Sequence, residues 1–140
     1  MKILIMGLPG AGKTTLAEPL VEALDAVWFN ADKIREKYDD WDFSEEGRIR
    51  QANRMRDLCD AVVANGGIAV ADFVAPTPQS RKDFNPDFLI WVDTIAESRY
   101  EDTNKIFVEP TRNEIDWIVR DWDWEVDEIV RKIRKHAKGK

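Results

Sequence analysis

Short apolar runs alternate along the chain with longer segments in which apolar residues recur every three or four positions. The short runs have the length and composition of buried strands, and they lie at 3–6, 26–29, 68–71, 88–92 and 115–119. The longer segments have helical periodicity, and they lie at 13–24, 45–64 and 125–137, with a further helical turn predicted to begin at 95–100. Strands joined by helical crossovers predict an α/β fold with about five mostly parallel strands flanked by helices.

The helix predicted at 45–64 carries sequence signals at both of its ends. Ser44 is a suitable N-cap, because its hydroxyl can accept a hydrogen bond from a backbone N–H of the first turn, and the Glu-Glu pair that follows suits the helix dipole. The Asn-Gly-Gly sequence at 65–67 then ends the helix. Ligands of parallel sheets bind at the carboxyl ends of the strands, so we expect the loops after these strands to converge on one site.

The composition is that of a globular protein with one domain, predicted to span residues 1–140. The chain has 44% hydrophobic and 34% charged residues, a balance typical of folded rather than disordered chains. Its formal net charge of -6 argues weakly against nucleic acid as a partner, since such binding usually needs a basic surface. No apolar run approaches membrane-spanning length, and the single cysteine, Cys59, is expected to be a buried thiol. These features favour a cytoplasmic protein with no membrane partner.

Residues 7–14 match the pattern GxxxxGK[ST] at every fixed position, after a predicted strand and at the start of a predicted helix. Glycines let backbone N–H groups turn inward around phosphate oxygens. Lys13 brings positive charge to the outer phosphates, which makes it a predicted catalytic residue, and the Thr14 hydroxyl suits Mg²⁺. The segment therefore predicts a P-loop that binds ATP and magnesium. The predicted nucleotide contacts are Gly7, Leu8, Pro9, Gly10, Ala11, Gly12, Lys13, Thr14 and Thr15.

Acidic residues follow two other predicted strands. Asp32 comes just after the second strand, where a carboxylate can accept or orient the proton of an acceptor hydroxyl; the alternative is that it caps the next helix. Arg35, one turn later, could hold an anionic substrate. Asp72 ends the apolar run that begins at Ile68 and resembles a Walker B segment, which predicts a second magnesium contact. The alternative for Asp72 is a residue that favours a turn.

Aromatic and basic side chains mix in the segment that leads into the long helix. Trp41 and Phe43 are candidates to stack on a base, and Arg48 to pair with a phosphate or sulfate, although both rings could instead pack at the edge of the core. Arg99 follows the fourth strand, where it could neutralise the transferring phosphoryl group and is therefore a predicted catalytic residue. Three tryptophans, at 117, 122 and 124, are expected to pack around the last strand and helix.

These stretches together resemble the adenylylsulfate kinase family, in the right order over roughly residues 1 to 110. The family pattern is GxxGxGKTT, then DGDxxR, then FSxxDRxxNxRR, then an SFISP-like segment. The matching stretches in this chain are 7–15, 30–35, 43–54 and 72–76, and Val92-Asp93-Thr94 resembles the end of the family's fourth strand.

The resemblance implies a P-loop kinase fold and transfer of the γ-phosphoryl group of ATP to the 3′-hydroxyl of adenylyl sulfate. It also implies that Phe43 stacks near the adenine and that arginines hold the phosphosulfate. The positions that match or replace the family's substrate contacts are Asp32, Arg35, Phe43, Arg48, Gln51 and Phe73.

The chain departs from the family pattern at several of these positions. Asn30 replaces the first acid of DGD, and Asp72 replaces the serine of SFISP. Gly47 replaces the aspartate that precedes the arginine in FSxxDRxxNxRR, and that arginine is Arg48. The glycine of DGD is Ala31, and Gln51 stands where the pattern has asparagine. The long basic lid of the family is replaced by a short segment at 101–110.

Two other functions are compatible with the same residues. One is a P-loop kinase for another nucleoside or for a hydroxymethylated base in DNA, and the other is a nucleotide-binding switch or interaction module with negligible turnover. An intact Asp32 favours a kinase. The expected partner is a small nucleotide-like molecule, and a homodimer is compatible with these features.

Overall fold

A single five-stranded sheet organises the protein, in a computed structural model that describes residues 1–139. The strands are β1 (Lys2–Met6), β2 (Val27–Asn30), β3 (Ala69–Asp72), β4 (Phe88–Val92) and β5 (Trp117–Val119). Their order across the sheet is β2-β3-β1-β4-β5, and all four neighbouring pairs are parallel. The carboxyl ends of all five strands therefore lie along one edge of the sheet.

Helices connect the strands and cover the sheet. They are α1 (Lys13–Leu24), α2 (Ala31–Tyr38), α3 (Glu45–Ala64), α4 (Pro78–Phe84), α5 (Glu101–Ile106) and α6 (Val126–Lys138). The bounds and the Ser44 N-cap of α3 agree with the sequence prediction, and the Ser44 hydroxyl accepts a hydrogen bond from the Gly47 N–H. The α/β fold with five parallel strands is confirmed.

Each face of the sheet has its own hydrophobic core, because successive strand residues point to opposite faces. Ile3 and Ile5 of β1 pack with α1 and α6 on one face, whereas Leu4 and Met6 pack with α3 and α4 on the other. All four side chains are fully buried. Burial on both faces explains why the strands appear in the sequence as continuous apolar runs rather than as alternating patterns.

Two helical predictions differ from the structure. The helical turn expected at 95–100 is wrong: this segment is irregular, and α5 begins only at Glu101. The Ser98 N–H and hydroxyl donate to Asn104 Oδ1 at 2.8 and 2.7 Å, and Asn104 Nδ2 donates back to the Ser98 carbonyl at 2.8 Å. These bonds satisfy the backbone of the segment without helix. The short helix α4 was not predicted, although Thr77 and Ser80 form a capping box at its start.

Two expectations about the whole chain can be compared with the described residues. Cys59 is fully buried in the α3 side of the core, and burial raises the pKa of its thiol to about 12. Within residues 1–139, none of the helices has the length and apolar character needed to span a bilayer.

Candidate active site

The P-loop connects β1 to α1 and is held in shape by its own hydrogen bonds. The Leu8 carbonyl accepts from the Ala11 N–H at 3.1 Å and from Lys13 Nζ at 3.0 Å. From the end of β4, the Thr94 hydroxyl donates to the Ala11 carbonyl at 2.6 Å. In the sequence, Thr94 stands out only through the resemblance of Val92-Asp93-Thr94 to the end of the family's fourth strand. In the structure, it anchors the P-loop to the end of the neighbouring strand β4.

The ammonium group of Lys13 has an unusually low pKa for a lysine. Burial lowers the pKa of its ammonium group to about 8, and the nearby charges of Asp72 and Asp32 oppose this effect only in part. A desolvated cation is strongly attracted to any anion that enters the loop, because water no longer screens it. The lysine is therefore suited to hold phosphate oxygens.

Trp122 lies directly against the P-loop, which the sequence did not predict. Gly12 has φ 106° and begins α1, and a Cβ added there would meet the indole ring of Trp122 at 2.2 Å. Only glycine fits between this backbone and the ring. Trp122 is nevertheless 59% exposed and contacts the P-loop, rather than packing around the last strand and helix as predicted. By contrast, Trp117 and Trp124 do pack against the core.

Thr14 and Asp72, the two predicted magnesium contacts, are linked through Asn30. Asn30 Nδ2 donates to Thr14 Oγ1 at 3.2 Å and to the two carboxylate oxygens of Asp72 at 3.1 and 3.2 Å. Trp28 Nε1 also donates to Asp72 Oδ2, at 2.6 Å. Asp72 is 2% exposed, and burial raises the pKa of its carboxyl group against the effect of these donors and of Lys13.

The side-chain oxygens of Thr14 and Asp72 suit the magnesium ion that the P-loop motif predicts. Magnesium prefers hard oxygen ligands and is usually bound through one or two carboxylates together with substrate phosphates and water. Thr14 Oγ1 and Asp72 supply a hydroxyl and one carboxylate beside the P-loop. In the described part of the chain no cluster of three or more His, Cys, Asp or Glu side chains could form a metal site by itself. The arrangement thus suits an ion that arrives with a nucleotide.

Asp32 remains available for an acceptor. The N-cap of α2 is Asn30, whose Oδ1 accepts from the Lys33 N–H at 3.1 Å, so the alternative that Asp32 caps this helix is wrong. Asp32 lies in the first turn with an exposed side chain. Its negative charge acts on Lys13, Asp72 and Arg35, so the carboxylate lies within electrostatic range of the P-loop lysine.

Arg35 and Phe43 form a stacked pair at the edge of the cleft. The Arg35 side chain is buried, and its Nη1 donates to the carbonyls of Asp40 at 2.9 Å and Asp42 at 3.2 Å. Its guanidinium lies 4.3 Å from the centre of the Phe43 ring, and Phe43 is 54% exposed. The arginine supports the ring from one side and leaves its other side open, rather than extending into the cleft to hold an anion.

Three other predicted site residues have partners inside the protein. Gln51 Nε2 donates to the Ala31 carbonyl at 3.0 Å and so joins α3 to α2. Phe73 lies in the core, edge-on to Phe84 with ring centres 5.5 Å apart. Arg99 is exposed, and its Nη2 donates to the Tyr100 hydroxyl at 2.9 Å. The hydrogen bonds and ring contact of these three side chains are made to residues outside the P-loop.

A cavity of about 300 Å³ opens beside the P-loop at the end of β4. Leu8, Trp91 and Phe107 give it apolar walls, and Asp93 and Glu109 add carboxylates. Burial and the charge of Glu109 raise the pKa of Asp93, which Arg120 opposes. A larger and more open groove of about 700 Å³ lies on the outer side of α3, away from the P-loop.

A family model described as adenylylsulphate kinase matches residues 1–111 of the chain. This match covers most of the sequence and includes the P-loop, Asp32, Phe43 and Asp72. The chain belongs to the adenylylsulfate kinase family. A search of curated protein sequences gave no significant match.

Several solved structures share the fold. The Mycobacterium tuberculosis APS kinase CysC, in complex with AMPPNP and APS, has a TM-score of 0.72 at 18% identity, covering 98% of this chain and 96% of that one. A sugar kinase from Janibacter sp. HTCC2649 has a TM-score of 0.72 at 15% identity, covering 98% and 94%. Shikimate kinase from Acinetobacter baumannii has a TM-score of 0.60 at 19% identity, covering 99% and 93%. These likenesses establish a P-loop kinase fold.

One departure from the adenylylsulfate kinase pattern has a clear steric cause. Gly47 replaces the aspartate before Arg48, and a Cβ at this position would lie 2.1 Å from the Asp42 carbonyl oxygen. The acidic loop at 39–42 occupies the space that a larger side chain would need. Arg50 donates to Asp40 at 2.8 Å and to Asp42 at 3.1 Å, and these bonds hold the pKa of the Asp40 carboxyl well below its usual range.

Arg48 differs from the neighbouring arginines on α3 in its contacts. Arg50 and Arg54 both form ion pairs with Asp40, whereas Arg48 forms no hydrogen bond or ion pair within the part of the chain that the structure describes. Its positive charge is close enough to act on Arg35. Arg48 is therefore the arginine at this end of α3 that is available to a ligand.

Proposed function

We propose that the protein transfers the γ-phosphoryl group of MgATP to a hydroxyl group of a nucleotide-like acceptor, and that this acceptor is adenylyl sulfate, phosphorylated at its 3′-hydroxyl. The observation that carries the proposal is an exposed carboxylate, Asp32, within electrostatic range of the partly buried ammonium group of Lys13. Membership of the adenylylsulfate kinase family supports the same reaction.

The reaction requires little covalent chemistry from the protein, so positioning and charge stabilisation account for most of the catalysis. Lys13 and the backbone N–H groups of the P-loop hold the phosphates. When bound, Mg²⁺ neutralises charge on the phosphate oxygens, with Thr14 and Asp72 as its protein contacts. Asp32 accepts the proton of the acceptor hydroxyl while the hydroxyl oxygen bonds to the γ-phosphorus, and ADP leaves with the electrons of the broken P–O bond.

The nucleotide base has a natural platform in Trp122. This ring lies on Gly12, within the phosphate-binding loop, and more than half of its surface is exposed. Aromatic side chains bind bases of any sequence by stacking, because every base has a flat π-face. We place the base of ATP on the open side of Trp122.

The acceptor is assigned to Phe43 and Arg48. Phe43 offers an open aromatic face that Arg35 supports from behind, and Arg48 offers a cation without a protein partner among the described residues. A base and an anionic phosphosulfate are the groups that such a pair recognises. The segment between β4 and β5 adds Phe107, which lines the neighbouring cavity.

Steady-state kinetics of two variants test this assignment. Phe43→Ala and Arg48→Ala should each raise the KM for adenylyl sulfate and leave the KM for ATP nearly unchanged. Loss of a ring–base stack is worth about 1–3 kcal/mol, so the rise for Phe43→Ala should be about five-fold or more. Ile49→Ala is the matched control, since Ile49 is 52% exposed next to Arg48 but lines the outer groove instead.

The outcomes separate the proposed acceptor from its rivals. Equal KM values for adenylyl sulfate in all four proteins, or no transfer to it at all, would reject adenylyl sulfate as the acceptor. Transfer to another nucleoside or to DNA with hydroxymethylated bases would then identify a P-loop kinase with a different acceptor. Binding of MgATP without transfer to any of these compounds would favour a nucleotide-binding module.

A further inference from the structure

Two departures from the family pattern lie 42 positions apart in the sequence and face each other in the structure. The pattern has an acid at the end of β2 and a serine at the end of β3, whereas this chain has Asn30 and Asp72. In the parallel register of these strands, Asn30 is the direct partner of Asp72. The acid that is missing from β2 is therefore present on the adjacent strand.

The geometry explains why one acid, and not two, occupies this pair of positions. Asn30 Nδ2 lies 3.1 and 3.2 Å from the carboxylate oxygens of Asp72, and Asp72 is buried. Two carboxylates at this separation cannot both remain ionised without a cation between them. An amide that faces a carboxylate instead donates hydrogen bonds to it. The same bonds can form whether the amide is on β2 and the carboxylate on β3 or the reverse.

Position 30 contacts the Thr14 hydroxyl directly, and position 72 is linked to it through Asn30. Asn30 Nδ2 is 3.2 Å from Thr14 Oγ1, so a carboxylate at position 30 would lie as close to Thr14 as the amide does now. At position 72, the carboxylate is held beside Asn30 by the additional donor Trp28 Nε1. Each arrangement leaves one negative charge on the pair of side chains that is hydrogen-bonded to the threonine of the P-loop.

We propose that the single carboxylate of this site has been exchanged between β2 and β3: Asp72 performs here the task of the family's β2 acid, and Asn30 is its neutral positioning partner. The two departures are then one reciprocal change that keeps the charge of the site constant. This inference rests on the proposed binding of magnesium and nucleotide at Thr14 and Asp72. The site is expected to function with one carboxylate on either strand.

A cycle of four proteins tests the exchange, because it varies the number of carboxylates from zero to two. Wild type and the swap Asn30→Asp/Asp72→Asn each have one, Asp72→Asn has none and Asn30→Asp has two. The measurement is calorimetric ADP affinity with Mg²⁺ and with EDTA, which requires no turnover. The magnesium enhancement is the ratio of the ADP affinity with Mg²⁺ to the ADP affinity with EDTA. Loss of a metal-site partner typically costs about 10–100-fold in metal affinity, and Asp72→Asn should lower the magnesium enhancement by a similar factor.

The swap is expected to recover most of the enhancement that Asp72→Asn loses. Asn30→Asp alone should lower the melting temperature without metal, because its two acids repel each other, and magnesium should reverse the loss. If Asp72→Asn does not fold, Asp72→Ser and Asn30→Asp/Asp72→Ser, which restores the family pattern, replace it in the cycle. Thr77→Ala removes the N-cap of α4, away from the site, and controls for effects of stability on binding.

The results distinguish this inference from the proposed function. A swap that binds MgADP as weakly as Asp72→Asn, while wild type shows a clear magnesium enhancement, overturns the exchange and leaves the proposed function intact. No magnesium enhancement in the wild type would overturn both. Recovery in the swap supports the exchange.

Discussion

The partly buried ammonium group of Lys13 is expected to lower the stability of the nucleotide-free protein, and replacing it with methionine should reveal by how much. In the folded state its pKa falls from 10.5 to about 8, chiefly because of burial. This difference corresponds to about 3 kcal/mol of unfavourable free energy in the charged form. Lys13→Met also loses the hydrogen bond to the Leu8 carbonyl, worth about 1 kcal/mol, so the net gain in stability should be about 1–3 kcal/mol.

The pH dependence of this gain has a definite sign. Below about pH 8 the ammonium is charged in both the folded and unfolded states, and the penalty is at its full value. Between about 8 and 10.5 the folded protein releases its proton while the unfolded chain keeps it, so the wild type recovers stability as the pH rises. The advantage of Lys13→Met should therefore be largest near neutral pH and should shrink in this window.

Urea unfolding of the nucleotide-free proteins, followed by circular dichroism at about pH 7 and about pH 10, measures the effect. Lys82→Met is the control, because Lys82 is an exposed lysine on α4, and its difference from wild type should stay small at both pH values. Lys13→Met should be inactive as well as more stable. A variant that is less stable than wild type at neutral pH, or an advantage that does not change with pH, would refute this electrostatic reasoning.

Three further predictions concern other parts of the site and its support. Asp32→Asn should lower kcat about a hundred- to ten-thousand-fold with little change in ADP affinity, as for loss of a general base; calorimetry beside single-turnover kinetics checks this, and unchanged kcat would remove the base from the mechanism. Trp122→Ala should raise the KM for ATP about five-fold or more and leave the KM for the acceptor unchanged. Arg81 is 2% exposed and donates to the carbonyls of Ala75 and Val108. Arg81→Ala should therefore lower the free energy of unfolding by about 3 kcal/mol or more, whereas Lys82→Ala should change it little.

The strands and the longer helices could be predicted because each of them carries a local signal. The strands are buried on both faces and appear as apolar runs, and α3 has a cap, an acidic first turn and an Asn-Gly-Gly end. The P-loop was recognisable because its glycines, lysine and threonine have fixed spacing around a phosphate. The segment at 95–100 misled the prediction, since its order comes from the Ser98–Asn104 hydrogen bonds rather than from helical periodicity.

The details of the site depend on contacts between distant positions. Asn and Asp are about equally favoured as N-caps, so the local sequence does not decide between Asn30 and Asp32 as the cap of α2. It also does not indicate that Arg35 binds two loop carbonyls. The pairing of Asn30 with Asp72 becomes visible only when the strand order and register are known. Trp122 reaches Gly12 because the loop after β5 folds back over the P-loop, and sequence periodicity contains no information about such a contact.

The reaction that we propose for this member of the adenylylsulfate kinase family is transfer of a phosphoryl group from ATP to adenylyl sulfate at the site built around Lys13 and Asp32. The most direct test incubates the purified protein with MgATP and adenylyl sulfate and identifies the products by mass spectrometry. Equal amounts of ADP and 3′-phosphoadenylyl sulfate are expected from the wild type, and neither product is expected from Lys13→Ala. Release of ADP and inorganic phosphate without any phosphorylated adenylyl sulfate would contradict the proposed reaction.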